Sequence, residues 1–257
     1  MARAANPYPE KIWLYLHFPL LPLDALLDEP KTEEDGQTPT AVVGQEKNGM
    51  RVLCCNNSAA QSGVEPLLSL STALALCPEL LTLQQQPERE KTTLQQLALI
   101  AYSFSPIVII AEQGLWLELS GCEKLFHSYT QLLQQLQENL THRCTHIDMG
   151  IAGSVDAARL LCQTGFRCEL PESGEVAQQL RLIPLSLLNI QRRQQQSFQQ
   201  LGLTHLKDLL VLPRADLASR FGTGIVDQLQ LLLGEKPCQL KHFKPPVSFH
   251  DLLQSTQ

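Results

Sequence analysis

The stretch Ser105–Phe126, which reads SPIVIIAEQGLWLELSGCEKLF, decides the fold of this 257-residue chain. Two apolar runs, Pro106–Ala111 and Leu115–Leu119, flank the polar residues Glu112–Gly114. Short runs of strand-forming residues separated by a few residues that include a glycine are typical of a β-hairpin. The stretch therefore predicts two antiparallel strands joined by a tight turn.

The segments on either side of this hairpin alternate between strand-like and helix-like patterns. Ser120 is expected to cap a helix that starts near Cys122, directly after the second strand. The full predicted order is strand Ile12–Phe18, small helices within Asn57–Cys77, helix Glu88–Phe104, the hairpin, helix Cys122–Asn139, strand His146–Ala152, helix Val155–Gln163 and a helical region from Pro184 to Gly234. This order predicts an α/β (α+β) protein whose sheet follows the β-αββαβ arrangement of the ferredoxin-like type.

Further motifs add a family resemblance to this order of elements. They are VLCCNNSAAQSGV at Val52–Val64, LSTALALCP at Leu70–Pro78, Gly150-Ile151-Ala152 ahead of a helix, and the helical stretch Leu201–Gly222. Together with the hairpin they resemble, in the same order, the motifs of the Y-family (UmuC-like, translesion) DNA polymerases. The resemblance implies a Y-family polymerase-like core with a ferredoxin-like palm, small fingers and a helical thumb.

The resemblance also implies a division of the chain into domains. The first palm strand is expected within residues 1–22, the fingers within 23–82, the remainder of the palm within 83–168, the helical thumb within 169–240 and a linker within 241–257. Similar proteins continue into a little-finger domain after this linker, and the present sequence stops at Gln257. We therefore expect the little finger to be absent, in a chain that is either truncated or naturally short.

Three positions of the family's metal site are altered. The family carries an Asp-Glu pair in the hairpin turn and an Asp in the first strand, and the alignment on Leu119-Ser120-Gly121 places the pair on Gln113 and Gly114. The first-strand Asp falls on Leu16. Two-metal phosphoryl transfer needs several converging carboxylates, and Mg²⁺ prefers hard oxygen ligands. We therefore predict degenerate ligand positions, no bound metal or other cofactor, and no enzymatic activity.

The family's nucleotide-binding motif is altered as well. Its Tyr-x-Ala-Arg segment grips the triphosphate, and counting back from Gly63-Val64 places the Tyr on Asn57 and the Arg on Ala60. Among Y-family proteins the combined losses most resemble the ImuB-like subgroup, which lacks catalytic carboxylates. This implies a non-catalytic accessory or scaffold protein in DNA repair, SOS-type damage tolerance and translesion mutagenesis. Two alternatives stay open: an active translesion polymerase with relocated ligands, and a pure protein-interaction module without DNA binding.

The charge of the chain is unevenly distributed. The formal net charge is −6, but residues 181–246 contain nine Lys/Arg against four Asp/Glu, a net charge of +5, which leaves −11 for the rest. A cationic region is the usual electrostatic footprint of phosphate-backbone binding. Because the thumb grips the duplex in similar polymerases, Arg192, Arg193 and Lys207 are candidate DNA-binding residues, and a solvated helical face is the alternative.

The family's phosphate-contacting turn also differs here. The two glycines of its Pro-Gly-Ile-Gly-Lys segment fall on Asn189 and Gln191, in the stretch Asn189-Ile190-Gln191-Arg192-Arg193. Asn adopts a positive φ more readily than Gln does. We expect Arg192 and Arg193 to supply charge in place of amide contacts, which predicts weak, sequence-independent DNA binding; a merely structural helical hairpin is the alternative.

The expected protein partners follow from the resemblance and from one short motif. The resemblance implies a RecA-like protein and a replicative-type error-prone polymerase. The segment QLKHF resembles the Gln-Leu-x-Leu-Phe peptide that docks on bacterial sliding clamps, with Gln239, Leu240 and Phe243 matching and His242 departing. The sliding clamp is therefore a further candidate partner, and a simple thumb-to-domain linker is the alternative.

Cysteine usage and hydropathy indicate the compartment. None of the eight cysteines forms a C-x-x-C pair, so that buried thiols in a reducing cytosol are favoured over zinc ligands or disulfides. The sequence contains no signal peptide and no run long enough to cross a membrane. We expect a cytoplasmic, nucleoid-associated bacterial protein with no membrane partner.

Overall fold

The computed structural model describes residues 11–27, 38–47, 49–165, 173–236 and 240–245. The strands are β1 (Trp13–His17), β2 (Thr40–Glu46), β3 (Gly49–Cys55), β4 (Leu81–Gln84), β5 (Val108–Ile110), β6 (Gly114–Glu118) and β7 (Asp148–Ala152). The helices are α1 (Leu21–Asp24), α2 (Asn57–Gln61), α3 (Leu70–Leu76), α4 (Pro87–Tyr102), α5 (Glu123–Phe126), α6 (Tyr129–Thr141), α7 (Val155–Gln163), α8 (Ser173–Arg181), α9 (Arg192–Gln200), α10 (Leu206–Leu210), α11 (Arg214–Phe221) and α12 (Thr223–Leu232). Within these ranges no helix combines the length and the apolarity that a membrane crossing requires.

A four-stranded antiparallel sheet, here called the palm sheet, has the strand order β5-β6-β1-β7. The hairpin predicted from Ser105–Phe126 forms its β5–β6 edge. β1 lies in the middle and pairs with β6 on one side and with β7 on the other. This order confirms the ferredoxin-like arrangement that the sequence predicts.

The two faces of the palm sheet are buried against different layers. On one face, Leu14 and Leu16 of β1 join Leu115 and Leu117 of β6 in a core covered by α4 and α6. We call this the helix-side core, and its other members include Leu97, Ala101, Leu132 and Leu136. On the opposite face, Tyr15 contributes to a second cluster with α7 and α9–α12, the thumb-side core. Alternate residues of a strand point to opposite faces, so one strand supports both cores.

Helix α7 can lie against the palm sheet because β7 carries a glycine. A Cβ added at Gly150 would come within 2.2 Å of the Ala158 carbonyl oxygen and 2.5 Å of the Cys162 backbone nitrogen. Both atoms belong to the helix backbone and cannot move aside independently of it. Glycine at this position therefore sets the separation between the sheet and α7.

The fingers form a separate three-stranded sheet with the order β3-β2-β4. β2 pairs antiparallel with β3 and parallel with β4. The side chain of Asn56 caps α2 by accepting a hydrogen bond from the Ala59 N–H at 3.0 Å, and it also accepts from the Thr40 N–H at 3.0 Å. The same side chain therefore starts the helix and holds it to β2.

The thumb, defined here as α8–α12, is joined to the palm through Ser154. The Ser154 hydroxyl donates to the Leu232 carbonyl oxygen at the end of α12, with an O···O distance of 2.6 Å. Its oxygen also accepts from the Ala157 N–H at 3.2 Å, which caps α7. One buried side chain thus satisfies an orphan donor of one helix and an orphan acceptor of another. The exact domain boundaries stay a prediction.

The segment after the hairpin differs from the predicted single helix Cys122–Asn139. It forms two helices, α5 and α6, because the chain turns at His127, where φ is +64°, and Ser128 then caps α6 by accepting from the Gln131 N–H. The predicted cap at Ser120 is wrong, because the Ser120 hydroxyl oxygen accepts instead from the Ile12 N–H at 3.0 Å. That bond fastens the start of β1 to the end of β6.

Asp24 is a buried carboxylate at the end of α1, with 5% of its surface exposed. Its two oxygens accept from Thr145, at 2.6 Å from the hydroxyl and 3.2 Å from the backbone N–H, and so tie α1 to the segment that leads into β7. Burial raises the pKa of Asp24 above its usual value, and the two bonds from Thr145 only partly offset this effect.

We expect Asp24→Ala to lower the free energy of unfolding by about 1–2 kcal/mol, because both hydrogen bonds are removed. Asp24→Asn should cost less, since an amide can accept from the Thr145 N–H and donate to its hydroxyl.

The raised pKa means that the Asp24 contribution is fully present below the unfolded-state pKa and is lost as the pH rises through the folded-state pKa. As the pH increases from about 4 to 7, the melting temperature of Asp24→Asn should therefore rise relative to that of wild type. A melting-temperature difference between the two proteins that stays constant across that range would contradict the raised pKa of Asp24.

Candidate functional site

The β5–β6 turn is held to the end of β1 by backbone groups. The carbonyl oxygen of Gln113 accepts from the Phe18 N–H at 3.0 Å, and the His17 ring nitrogen Nδ1 lies 3.1 Å from the same oxygen. The side chains of Gln113 and its neighbour Glu112 are exposed. Gln113 therefore contributes to the turn through its backbone.

Gly114 has no room for a side chain. An added Cβ would come within 2.3 Å of the Leu16 carbonyl oxygen and 2.8 Å of the Tyr15 hydroxyl. The Tyr15 ring also contacts Trp116, with the ring centroids 4.8 Å apart, and burial raises the pKa of the Tyr15 hydroxyl. The position aligned with a metal-binding Glu is thus closed by backbone and by a neutral phenol.

Leu16 and Gly114 lie on opposite faces of the palm sheet. In the antiparallel register Leu16 is opposite Leu115, whereas Gly114 is opposite His17, and directly opposite residues share a face. Leu16 has none of its surface exposed and belongs to the helix-side core. Carboxylates placed at these two positions would therefore not converge, and the assignment of both as degenerate metal positions stays a prediction.

The β1 residue directly opposite Gly114 is His17, which the motif alignment did not single out. It is opposite Gly114 on one side and opposite Asp148 of β7 on the other. The signal was present in the alternation of β1, where Leu14, Leu16 and Phe18 are apolar. That alternation indicates that the intervening residues, Tyr15 and His17, face away from the helix-side core.

Polar side chains around β7 and on α7 form two ion pairs. His146 Nε2 lies 3.0 Å from Asp148 Oδ1, and Arg159 lies 4.0 Å from Asp156. Burial, reinforced by Asp148, raises the pKa of the Cys162 thiol to about 12, so that the thiol stays protonated at neutral pH. In the part of the chain that the structure describes, no three His, Cys, Asp or Glu side chains are grouped so that they could hold a metal ion.

The predicted triphosphate positions lie on the five-residue helix α2. Asn57 and Ala60 are both exposed there, and neither side chain carries a charge. Their assignment as degenerate nucleotide positions stays a prediction. The structure adds that the neighbouring Asn56, rather than Asn57, is the residue engaged in capping.

The three candidate DNA-binding cations of the thumb are all exposed. Arg192 and Arg193 begin α9, and Lys207 lies on α10. Within the described ranges none of the three takes part in an ion pair, whereas Arg214 is paired with Glu235 at 2.5 Å and Lys236 with Asp227 at 2.9 Å. The free cationic charge of the thumb therefore includes the residues that the sequence singled out.

The turn before α9 does not adopt the left-handed conformation that glycines would permit. Neither Asn189 nor Gln191 has a positive φ, and Gln191 is extended with φ −64° and ψ 143°. The Gln191 N–H instead donates to the side chain of Gln194 at 3.2 Å. The amide is thus engaged within the chain, and the replacement of amide contacts by the charges of Arg192 and Arg193 stays a prediction.

A glycine-bearing turn of the thumb lies between α11 and α12, where the sequence reads Gly222-Thr223-Gly224. Gly222 has φ +86°, and a Cβ added at Gly224 would meet no atom within 4 Å. Two glutamines connect this hairpin with the turn before α9: Gln194 donates to the Phe221 carbonyl oxygen at 2.7 Å, and Gln228 donates to that of Asn189. The G-x-G pattern was the overlooked signal for this turn.

Two residues of the clamp-like motif can be located. Leu240 is half-buried, and Phe243 packs against the helix-side core of the palm, while Gln239 lies outside the described residues. The palm therefore already contacts the side chain that a peptide-docking motif would present.

Comparison with known proteins agrees with this architecture. The solved structure of a Y-family DNA polymerase chimera, Dbh-Dpo4(243-245)-Dbh, superposes with a TM-score of 0.71 over 91% of this chain and 70% of its own, at 14% identity. DinB from Sulfolobus solfataricus gives a TM-score of 0.67 over 90% and 69%, at 13% identity. These similarities show the fold, with palm, fingers and thumb in the polymerase arrangement. The molecule therefore has a Y-family polymerase-like fold.

The sequence comparisons define the family. The model of the impB/mucB/samB family matches residues 30–163, a little over half of the chain, and the chain belongs to this family. It is 29% identical to Protein ImuB of Caulobacter vibrioides over 192 residues, which is 74% of this chain and 42% of that protein. It is 27% identical to DNA polymerase IV of Dehalococcoides mccartyi over 193 residues, 72% of this chain and 49% of that protein. The chain thus matches less than half the length of each of these relatives.

We expect Gly114→Ala to lower the free energy of unfolding by about 2–4 kcal/mol, because the new methyl group must displace the β1 backbone. Gly224→Ala is the matched control, since its Cβ enters open space within the first turn of α12. The control should be neutral or should stabilise the protein by up to about 1 kcal/mol. Chemical denaturation of both variants tests this, and equal stabilities would show that the turn can open.

Proposed function

We propose that this chain is a non-catalytic, polymerase-like accessory protein that binds DNA weakly and supports DNA repair and SOS-type damage tolerance, including translesion mutagenesis. The observation that carries the proposal is the closed turn at Gly114, where the Leu16 carbonyl and the Tyr15 hydroxyl occupy the space of a side chain. The relationship to ImuB supports the same view, while the similarity to DNA polymerase IV keeps an active polymerase as the alternative.

The proposed chemistry is therefore binding and positioning rather than phosphoryl transfer. Converging carboxylates are the minimum for two-metal catalysis, and Leu16, Gln113 and Gly114 are expected to provide none. Asn57 and Ala60 are expected to provide no charged grip on a triphosphate. In this proposal the palm serves as a rigid support for the fingers and thumb.

Purified protein should extend no primer on a templated DNA with either Mg²⁺ or Mn²⁺. The DNA polymerase IV relative, assayed in parallel, is the positive control for substrates and conditions. Template-directed extension by this chain that disappears in a Glu112→Ala variant would establish relocated ligands and overturn the non-catalytic assignment.

The thumb is the proposed DNA-binding surface. Its acidic residues are largely engaged within the protein: Asp227 and Glu235 are ion-paired, and Asp208 accepts from the N–H groups of Thr204 and His205 at 2.9 Å. These two bonds lower the pKa of Asp208, which keeps it ionised in its capping role. Arg192, Arg193 and Lys207 are left to attract phosphate, and such contacts are independent of base sequence.

We expect the double variant Arg192→Ala/Arg193→Ala to weaken DNA binding and to make the log-affinity versus log-salt slope shallower by about 2, one unit for each phosphate that is no longer bound. The control is Arg89→Ala/Lys91→Ala, which removes the same charge from exposed positions of α4. Fluorescence anisotropy at several salt concentrations measures both slopes. Equal slopes for the two double variants would assign the effect to net charge alone, and no binding even at low salt would favour a pure interaction module.

The proposed protein partners follow from the ImuB relationship. They are a RecA-like protein and a replicative-type error-prone polymerase, with the sliding clamp as a further candidate through Leu240 and Phe243. Nucleoid association in the bacterial cytoplasm belongs to the same proposal, since it follows from DNA binding. Co-purification of these named candidates with tagged protein from DNA-damaged cells, compared with undamaged cells, tests this part separately from catalysis.

A further inference from the structure

The segment Leu240–Pro245 folds back onto the outer edge of the palm sheet. The Phe243 N–H donates to the Val108 carbonyl oxygen, with an N···O distance of 2.7 Å. Val108 belongs to β5, which is the edge strand of the β5-β6-β1-β7 order. Unpaired carbonyl and N–H groups on an edge strand are a template for an added extended segment.

Phe243 anchors this segment through its side chain as well as its backbone. Its ring packs against the helix-side core, whereas the flanking side chains of His242 and Lys244 are exposed. Pro245 has no N–H and cannot extend a hydrogen-bond ladder along β5, so the contact is confined to a short stretch. An extended peptide with one buried aromatic residue and one main-chain bond to a sheet edge is a small instance of strand addition.

We propose that the β5 edge and the apolar surface beside it form a peptide-docking site, which this chain occupies with its own Leu240–Pro245 segment and with Phe243 as the anchor. The docked segment returns the chain from the thumb to the palm. It also withholds Phe243 from any second protein that would bind the same motif. A trans-acting partner of Leu240–Phe243 therefore competes with the palm, and the contact acts as an intramolecular inhibitor of such binding.

Hydrogen exchange on the full chain tests the cis contact. The amide of Phe243 should exchange slowly in wild type and in the matched control His242→Ala, whose side chain is exposed. In Phe243→Ala the backbone donor remains but the anchor is removed, so the exchange rate of that amide should rise at least about tenfold. Fast exchange in wild type, or unchanged protection in Phe243→Ala, would overturn the proposal.

A labelled peptide with the sequence LKHFKP, which copies Leu240–Pro245, tests the site in trans. It should bind the Phe243→Ala chain at least about tenfold more tightly than wild type, because the tethered wild-type segment competes at high effective concentration. The peptide LKHAKP is the control and should bind neither protein. Equal binding of LKHFKP to both chains would place it elsewhere, and failure to bind either chain would show that the β5 edge is not a peptide-docking site.

Discussion

The structure depends on the register of one strand, β1. It is paired on both sides, so its position in the sheet is set by two hydrogen-bond ladders at once. Its alternation places Leu14 and Leu16 in the helix-side core and Tyr15 in the thumb-side core. A slip of one residue would exchange these faces and move the leucines out of the helix-side core. Because that exchange is costly, the register of β1 is strongly specified. Ser120 adds a further constraint, because its hydroxyl accepts from the Ile12 N–H just before β1 begins.

The same register determines what the polymerase-like centre can hold. Because Leu16 and Gly114 are on opposite faces, carboxylates at these two positions would not converge on one metal ion. The space beside Gly114 is filled by the β1 backbone and by the Tyr15 ring, and the Leu16 side chain is a full member of the core. A carboxylate at position 16 would be desolvated within the helix-side core, where ionisation is costly. Packing in this region therefore favours glycine at position 114 and an apolar residue at position 16.

The fold was largely predictable from the sequence because the palm elements carry strong local patterns. The hairpin, the central strand β1 and helix α7 were expected at the positions where they occur, and α7 spans Val155–Gln163 as predicted. The break at His127 was not predictable, because it depends on a positive φ at a non-glycine residue, which the sequence pattern does not indicate. The face of the sheet on which a residue lies was harder to predict than the position of a strand. Motif alignment selected Leu16, whereas the strand pairing places His17 on the same face as Gly114. In the thumb, the charges could be located from the sequence, whereas the glutamine bonds that join its two turns connect residues far apart in the chain.

The thumb and the palm are joined by the apolar packing of the thumb-side core and, in addition, by two local hydrogen bonds. Ser154 joins α7 to the end of α12, and Phe243 joins the segment after the thumb to β5. Each contact includes a backbone carbonyl that would otherwise lack a partner at a helix end or a sheet edge. Because Phe198 of α9 packs in the same thumb-side core as Tyr15 of β1, the cations at the start of α9 have a defined position relative to the palm sheet. In the proposed DNA-binding role such a fixed arrangement would present these cations together to neighbouring phosphates, and each phosphate contact adds to the affinity.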